Sequence, residues 1–198
     1  WVKAKLAACK NHEALETLRC LIRKQQRFYL WKELADITPD EQLKLSALCK
    51  AILLQPKDEF LGKIHFMLAL LLKGQGLLSE AQAQINAYVE TYRRNGWTPT
   101  PEMQALANAM PPGIAPCADV SAFYNAHLDA AHDFLFPDLH WNLLVVMNFF
   151  TQINPKTGRK TDKVALADTN GNTLSVNRKQ WPSGHSLAKF ACVEAKIA

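Results

Sequence analysis

No run of apolar residues approaches the about 20 needed to cross a bilayer. The stretch Leu68-Ala69-Leu70-Leu71-Leu72 stops at Lys73, so no contact with a membrane is expected. No secretory leader opens the chain, which begins at Trp1 without a methionine, as a fragment or a trimmed chain would. Cysteine is sparse: Cys9, Cys20, Cys49, Cys117 and Cys192 form no C-x-x-C, and five thiols cannot all pair internally. Reduced core thiols in a cytoplasmic protein are therefore expected. A phosphate-cradling glycine loop, a G-x-S-x-G and an H-E-x-x-H are all missing. His127 and His132, near Asp129 and Asp133, are five residues apart, which places them roughly 140° apart on a helix, poorly set to share a metal. His12 and His65 fall in expected helices as packing or surface residues, and Asp138 with His140 beside Trp141 is at most a turn. The acid pairs Asp40-Glu41 and Asp58-Glu59 stand at expected helix starts, where the helix dipole favours them. No catalytic residue, metal or cofactor is expected.

What is there is 198 residues, enough to bury a real core in one large or two small domains. At 48% hydrophobic and 21% charged, the composition is that of a soluble globular protein. The net charge of +5 is uneven. Residues 136–198 hold eight Lys and Arg against four acids, a net of +4, and leave +1 for the rest. Such asymmetry hints at an anionic partner.

Most of the chain has helical periodicity. Helices are expected from Asn11 through Gln26, from Phe28 to Ile37, from Glu41 to Leu54, and over Lys63–Leu72, where Ile64, Leu68, Leu71 and Leu72 share one face. Thr38-Pro39-Asp40 and Gln55-Pro56-Lys57-Asp58 break the series. Gly74 and Gly76 end the fourth helix, Ser79 reads as the N-cap of the next, and Asn95-Gly96 stops that one after Arg93 and Arg94. Pro-rich joins at 97–101 and 111–116 bracket a short helix, Glu102–Met110. Asp119 then opens one long helix through Leu135, placed to cap the exposed end of the helical array.

The unit Ile64–Tyr88 resembles a tetratricopeptide repeat. Leu68, Ala69, Leu72, Ala81 and Ile85 stand at that motif's spacing, and Gly74-Gln75-Gly76-Leu77-Leu78-Ser79-Glu80-Ala81 is similar to its inter-helix turn. Ala14 lies 67 residues before Ala81, close to two repeat lengths, while Phe28–Pro56 departs more. The resemblance covers about residues 1–97. It implies a superhelical array with a concave surface for a protein partner, and it sets Ala69 against Ala81 where two helices cross. A plain helical bundle would also place small residues at helix crossings.

Past Pro137 the period changes. Trp141–Ile153 is rich in Val, Leu and Phe, Asn154-Pro155-Lys156-Thr157-Gly158 signals a turn, and Val164-Ala165-Leu166-Ala167 leads to Asn170-Gly171, the mark of a tight hairpin. Thr173-Leu174-Ser175-Val176 alternates, and after Pro182-Ser183-Gly184 a last strand runs over Phe190–Ile197. Three strands in meander order, a loop and a fourth strand are expected. The segment resembles a cold-shock or OB-like module. Val145-Val146-Met147-Asn148-Phe149-Phe150 is similar to a cold-shock first strand, and Asn172–Val176 with Arg178-Lys179-Gln180-Trp181 to its third strand and following loop. The Gly-Phe-Gly-Phe second strand and the Phe-x-His strand of that family, which stack bases, are absent.

The fold expected is thus α+β: tetratricopeptide-like repeats over 1–110, a linker and capping helix over 111–137, and a small antiparallel β-domain over 138–198. Lys156, Arg159, Lys160, Lys163, Arg178, Lys179 and Trp181 form its candidate nucleic-acid site, with cations for phosphates and the indole for a base. A solvated hairpin tip would also carry Lys and Arg. The function expected is a non-catalytic scaffold that binds a protein partner through the helices and RNA or single-stranded DNA through the β-domain. The alternative is a protein–protein adaptor without nucleic-acid binding.

Overall fold

The computed structural model describes residues 11–181 and 188–196. Cys9, the Pro182-Ser183-Gly184 loop and Ile197 lie outside the described residues. The chain divides into two units, the first ending at Leu135 and the second beginning at Phe136. The first is helical and the second is an antiparallel sheet, an α+β layout.

Among the described residues the helical unit opens with α1 (Asn11–Lys24), α2 (Phe28–Ile37) and α3 (Glu41–Leu54). Asp40 starts α3 by accepting from the N–H groups of Gln42 and Leu43, two donors that the first turn leaves unpaired. A short 3-10 turn at Asp58–Phe60 leads into α4 (Gly62–Gly74) and α5 (Leu78–Arg94). α2 packs on α3, and α4 packs on α5. One core gathers Trp31, Leu34, Leu48, Leu68 and Leu72, all fully shielded from solvent. Each such aliphatic side chain contributes about 1.5–3 kcal/mol by leaving water.

Several local expectations change. Ser79 is not the cap of α5, because the Leu77 N–H closes on the Leu72 carbonyl and the helix starts directly at Leu78. The Ser79 hydroxyl instead donates to the Ala115 carbonyl at 2.8 Å, and the Cys117 N–H donates to the Ser79 carbonyl at 3.0 Å. The Pro-rich segment 111–116 is thereby pinned to the start of α5. The short helix α6 starts at Pro101 and ends at Asn108, with Thr100 capping the Met103 N–H. It packs on α5 and closes a second core with Ala69, Ile85, Tyr88, Met103 and Leu106. Ala69 and Ala81 are both fully buried on the paired helices α4 and α5, Ala69 among Ile85, Tyr88, Met103 and Leu106 and Ala81 with Leu68 and Leu72.

The long helix expected after Asp119 is two, α7 (Val120–Ala126) and α8 (Asp129–Leu135). Asp119 does cap α7, accepting from the Ala122 N–H. The break falls at His127, whose ring Nδ1 bonds the Phe123 carbonyl that the next helical N–H would use, while its own N–H turns to Tyr124. α8 packs across α1 and α3, and α7 across α3. These helices therefore cover the side of the row, and α6 covers its α5 end. Of the described cysteines, all free, Cys49 is buried, Cys117 is half-buried, and Cys20 and Cys192 are exposed, so the last two are not core thiols.

The second unit is a curled four-stranded sheet in the order β3-β2-β1-β4. Its strands are β1 (Trp141–Ile153), β2 (Lys160–Asp168), β3 (Thr173–Asn177) and β4 (Cys192–Lys196). Leu144 and Val146 of β1 with Val164 and Leu166 of β2 form its buried centre. The β1–β2 ladder is irregular between Val146 and Asn148, so Met147 is an extra residue and the alternation of faces shifts there. The β2–β3 turn is longer than the tight form expected. The Asp168 N–H bonds the Asn172 carbonyl, the Gly171 N–H bonds the Asp168 carbonyl, and Gly171 takes φ +84°, a three-residue loop with glycine in the left-handed position.

Candidate nucleic-acid interface

The candidate cations meet because of strand register. Ile153 pairs with Lys160, so the loop 154–159 lies at one end of the sheet. Lys163 sits between Phe150 on β1 and Asn177 on β3. The chain leaves β3 at Asn177 into a 3-10 turn, Arg178–Gln180, which packs beside β2 at that same end. Lys156, Arg159, Lys160, Lys163, Arg178 and Lys179 are thus gathered from three segments.

The loop is held by its own backbone. Asn154 donates its N–H to the Arg159 carbonyl and receives the Gly158 N–H on its carbonyl, both at 2.9 Å. Its side-chain oxygen accepts from the N–H groups of Lys156 and Thr157. Gly158 takes φ +67°, which closes the loop back onto β2. Lys156, Arg159 and Lys160 stand exposed on this frame, as do Arg178 and Lys179, and Lys163 is half-buried. None of the six forms an ion pair with a described residue. The carboxylate at this end, Asp162, accepts a hydrogen bond from the Thr151 hydroxyl at 2.8 Å.

The aromatic residues are arranged differently from the expectation. Trp181 is half-buried against the sheet's core, and its indole Nε1 is shielded with no partner among the described residues. It anchors the turn after β3. Phe149 faces that core opposite Val164, and the Arg178 guanidinium lies over its ring at 5.8 Å from the centroid. Phe150 is one residue on, so it points to the other face, beside Lys163, and is 42% exposed. The sequence contained both phenylalanines, but the extra residue at Met147 decides which one faces out.

Among the described residues no group of three or more His, Cys, Asp and Glu could hold a metal, and no helix is long and apolar enough to cross a membrane. His65 lies in the core, with its Nδ1 at 2.9 Å from the Oε1 of Gln84. Burial holds its pKa below the usual value, partly offset by that hydrogen bond. No curated protein and no solved structure matches the chain. Residues 1–131 match the family described as a domain of unknown function, DUF7017, and because that match spans more than half of the 198 residues, the chain belongs to this family.

Proposed function

We propose that the protein is a non-catalytic cytoplasmic scaffold whose basic β-domain binds single-stranded RNA or DNA and whose helical unit holds a protein partner. The observation that carries this reading is the gathering of six cations, none in an ion pair with a described residue, at one end of a small sheet. Unpaired cations on a rigid frame neutralise phosphates and release the counterions condensed on them. Phe150, exposed beside Lys163, supplies an apolar ring face at the same end. An OB-like reading of the half-barrel and a tetratricopeptide-like reading of the paired helices both accord with such a division of labour. The test is a mobility-shift assay of the full chain with short single-stranded RNA and DNA. A shift that fades as salt rises supports the reading. The absence of any shift at low salt leaves a protein–protein adaptor.

A further inference from the structure

Phe190 stands where the backbone calls for glycine. The Ala191 N–H bonds the Ala188 carbonyl at 3.1 Å, so Ala188 to Ala191 form a β-turn, and Phe190 at its third position has φ +69°. A positive φ at that position defines the type II turn and is ordinarily a glycine. The same residue opens a β-bulge. Its N–H donates to the Val146 carbonyl at 2.7 Å, while the Val146 N–H donates to the Ala191 carbonyl at 2.9 Å. Two residues thus face one, and the first position of a bulge with left-handed backbone is again a glycine site. Among the described residues Phe190 is the only non-glycine with positive φ.

Folding gains little that offsets this strain. Phe190 is 66% exposed, more than any other large apolar side chain described. Strained backbone that burial does not explain points to a use of the side chain. Its neighbours indicate which use. The Lys189 ammonium lies 5.2 Å from the ring centroid, so a cation and an open ring face are presented together. The unit around it carries a net +4. On the other side of β1, the bulge at Met147 falls at the same level as Phe190, so β1 is irregular toward both neighbours at Val146. Bulges re-aim side chains and cluster near functional sites.

We infer that Phe190, with Lys189 beside it, is a base-stacking platform for single-stranded nucleic acid, the ring taking a base and the ammonium the adjoining phosphate. This rests on the proposed nucleic-acid reading and adds a contact away from the hairpin loop. Val146 and Ile153 are seven strand residues apart, so the platform and the basic end are separated by about 23 Å. A strand of several nucleotides engages both, within the span of ~4–16 nucleotides known for small barrels.

The experiment measures binding of the full chain to fluorescent oligothymidine and oligouridine of about twelve nucleotides, by anisotropy at low salt. Phe190→Gly and Phe190→Asn relieve the left-handed strain, and Phe190→Trp keeps a ring. The glycine and asparagine variants are expected to bind roughly tenfold or more weakly with an unchanged salt slope, because stacking releases no counterion. Phe190→Trp retains wild-type affinity. Amide exchange in β1 and β4 slows in Phe190→Gly, the sign of a sheet made more stable by losing the ring. Wild-type affinity in the glycine variant overturns the platform, and is also the outcome if the ring serves a protein partner. Faster exchange in that variant overturns it too, since the ring would then be holding the fold. If the wild type binds neither oligonucleotide, the nucleic-acid reading falls and the platform with it. If Arg159→Ala weakens binding and Phe190→Gly does not, the platform alone falls.

Discussion

Tyr124 donates a hydrogen bond to Gln84 Oε1 at 2.9 Å across 40 residues of sequence. The same oxygen lies 2.9 Å from His65 Nδ1, and Gln84 is fully buried. One amide thus joins α4, α5 and α7, while its Nε2 has no partner among the described residues. Burial pushes the Tyr124 hydroxyl up to about 12, which keeps it a donor at neutral pH. Tyr124→Phe removes one bond and leaves the Gln84 oxygen still paired, at a cost of about 1 kcal/mol. Gln84→Leu leaves both His65 and Tyr124 unpaired, at about 1–3 kcal/mol each, less the relief of the unpaired Nε2. Urea unfolding followed by far-ultraviolet circular dichroism should rank the glutamine variant as the less stable. Equal costs would mean that Gln84 does not link the helices.

His65 makes the helical unit sensitive to acid. Burial lowers its pKa in the folded state below the ordinary 6.5, so the unfolded chain binds the proton more readily. Its contribution to stability is complete above about pH 6.5 and is lost as the pH falls toward the folded-state value. His65→Asn keeps a donor toward Gln84 and cannot be charged. The difference in urea midpoint between wild type and His65→Asn should shift in favour of the variant from about pH 7.5 to pH 5.5. A difference that stays constant over that range would remove His65 as the source.

Ala69 and Ala81 are small residues buried on the paired helices α4 and α5. Neither is accessible to solvent. Ala69→Leu and Ala81→Leu should each cost about 1–3 kcal/mol through overpacking. Urea unfolding of each single variant checks this, and an unchanged midpoint in either would place that position at the surface.

Trp181 separates packing from binding. It is half-buried among the sheet's core residues with its indole nitrogen shielded. Trp181→Leu should therefore destabilise the β-domain, as hydrogen exchange of β2 and β3 would show. Affinity for single strands, corrected for the folded fraction, should stay within about twofold. A loss of ~1–3 kcal/mol in affinity is the signature of base stacking and would assign the indole that role.

Much of the architecture was legible because it is written in local chemistry. Asp40 and Thr100 cap helices through their side-chain oxygens, and Asn154 with Gly158 closes a loop through their known backbone preferences. The alternation of Thr173-Leu174-Ser175-Val176 marked β3, whose Leu174 and Val176 pack on the sheet's core. What stayed hidden depends on partners distant in sequence or on residues that break the rule. Nothing in the chain before His127 marks a helix break, because the break arises from an imidazole competing for the Phe123 carbonyl. Ser79 has the chemistry of a cap, and the Ala115 carbonyl claims its hydroxyl. The bulge at Met147 adds one apolar residue to an apolar strand, so the exposure of Phe150 cannot be counted out. Phe190 is the sharpest case: a glycine there would have announced the turn, and a phenylalanine conceals it.

The most direct test of the central claim is the salt dependence of single-strand binding by the full chain and by Arg159→Ala/Lys160→Ala. Each phosphate neutralised on a single strand contributes ~0.7 to the slope of log affinity against log salt. The wild type is expected to bind at low salt with a slope of several such contacts, and the double variant to flatten it by one to two. No binding at low salt by a chain whose sheet is shown to be folded would contradict it, as would a slope that the two substitutions leave unchanged.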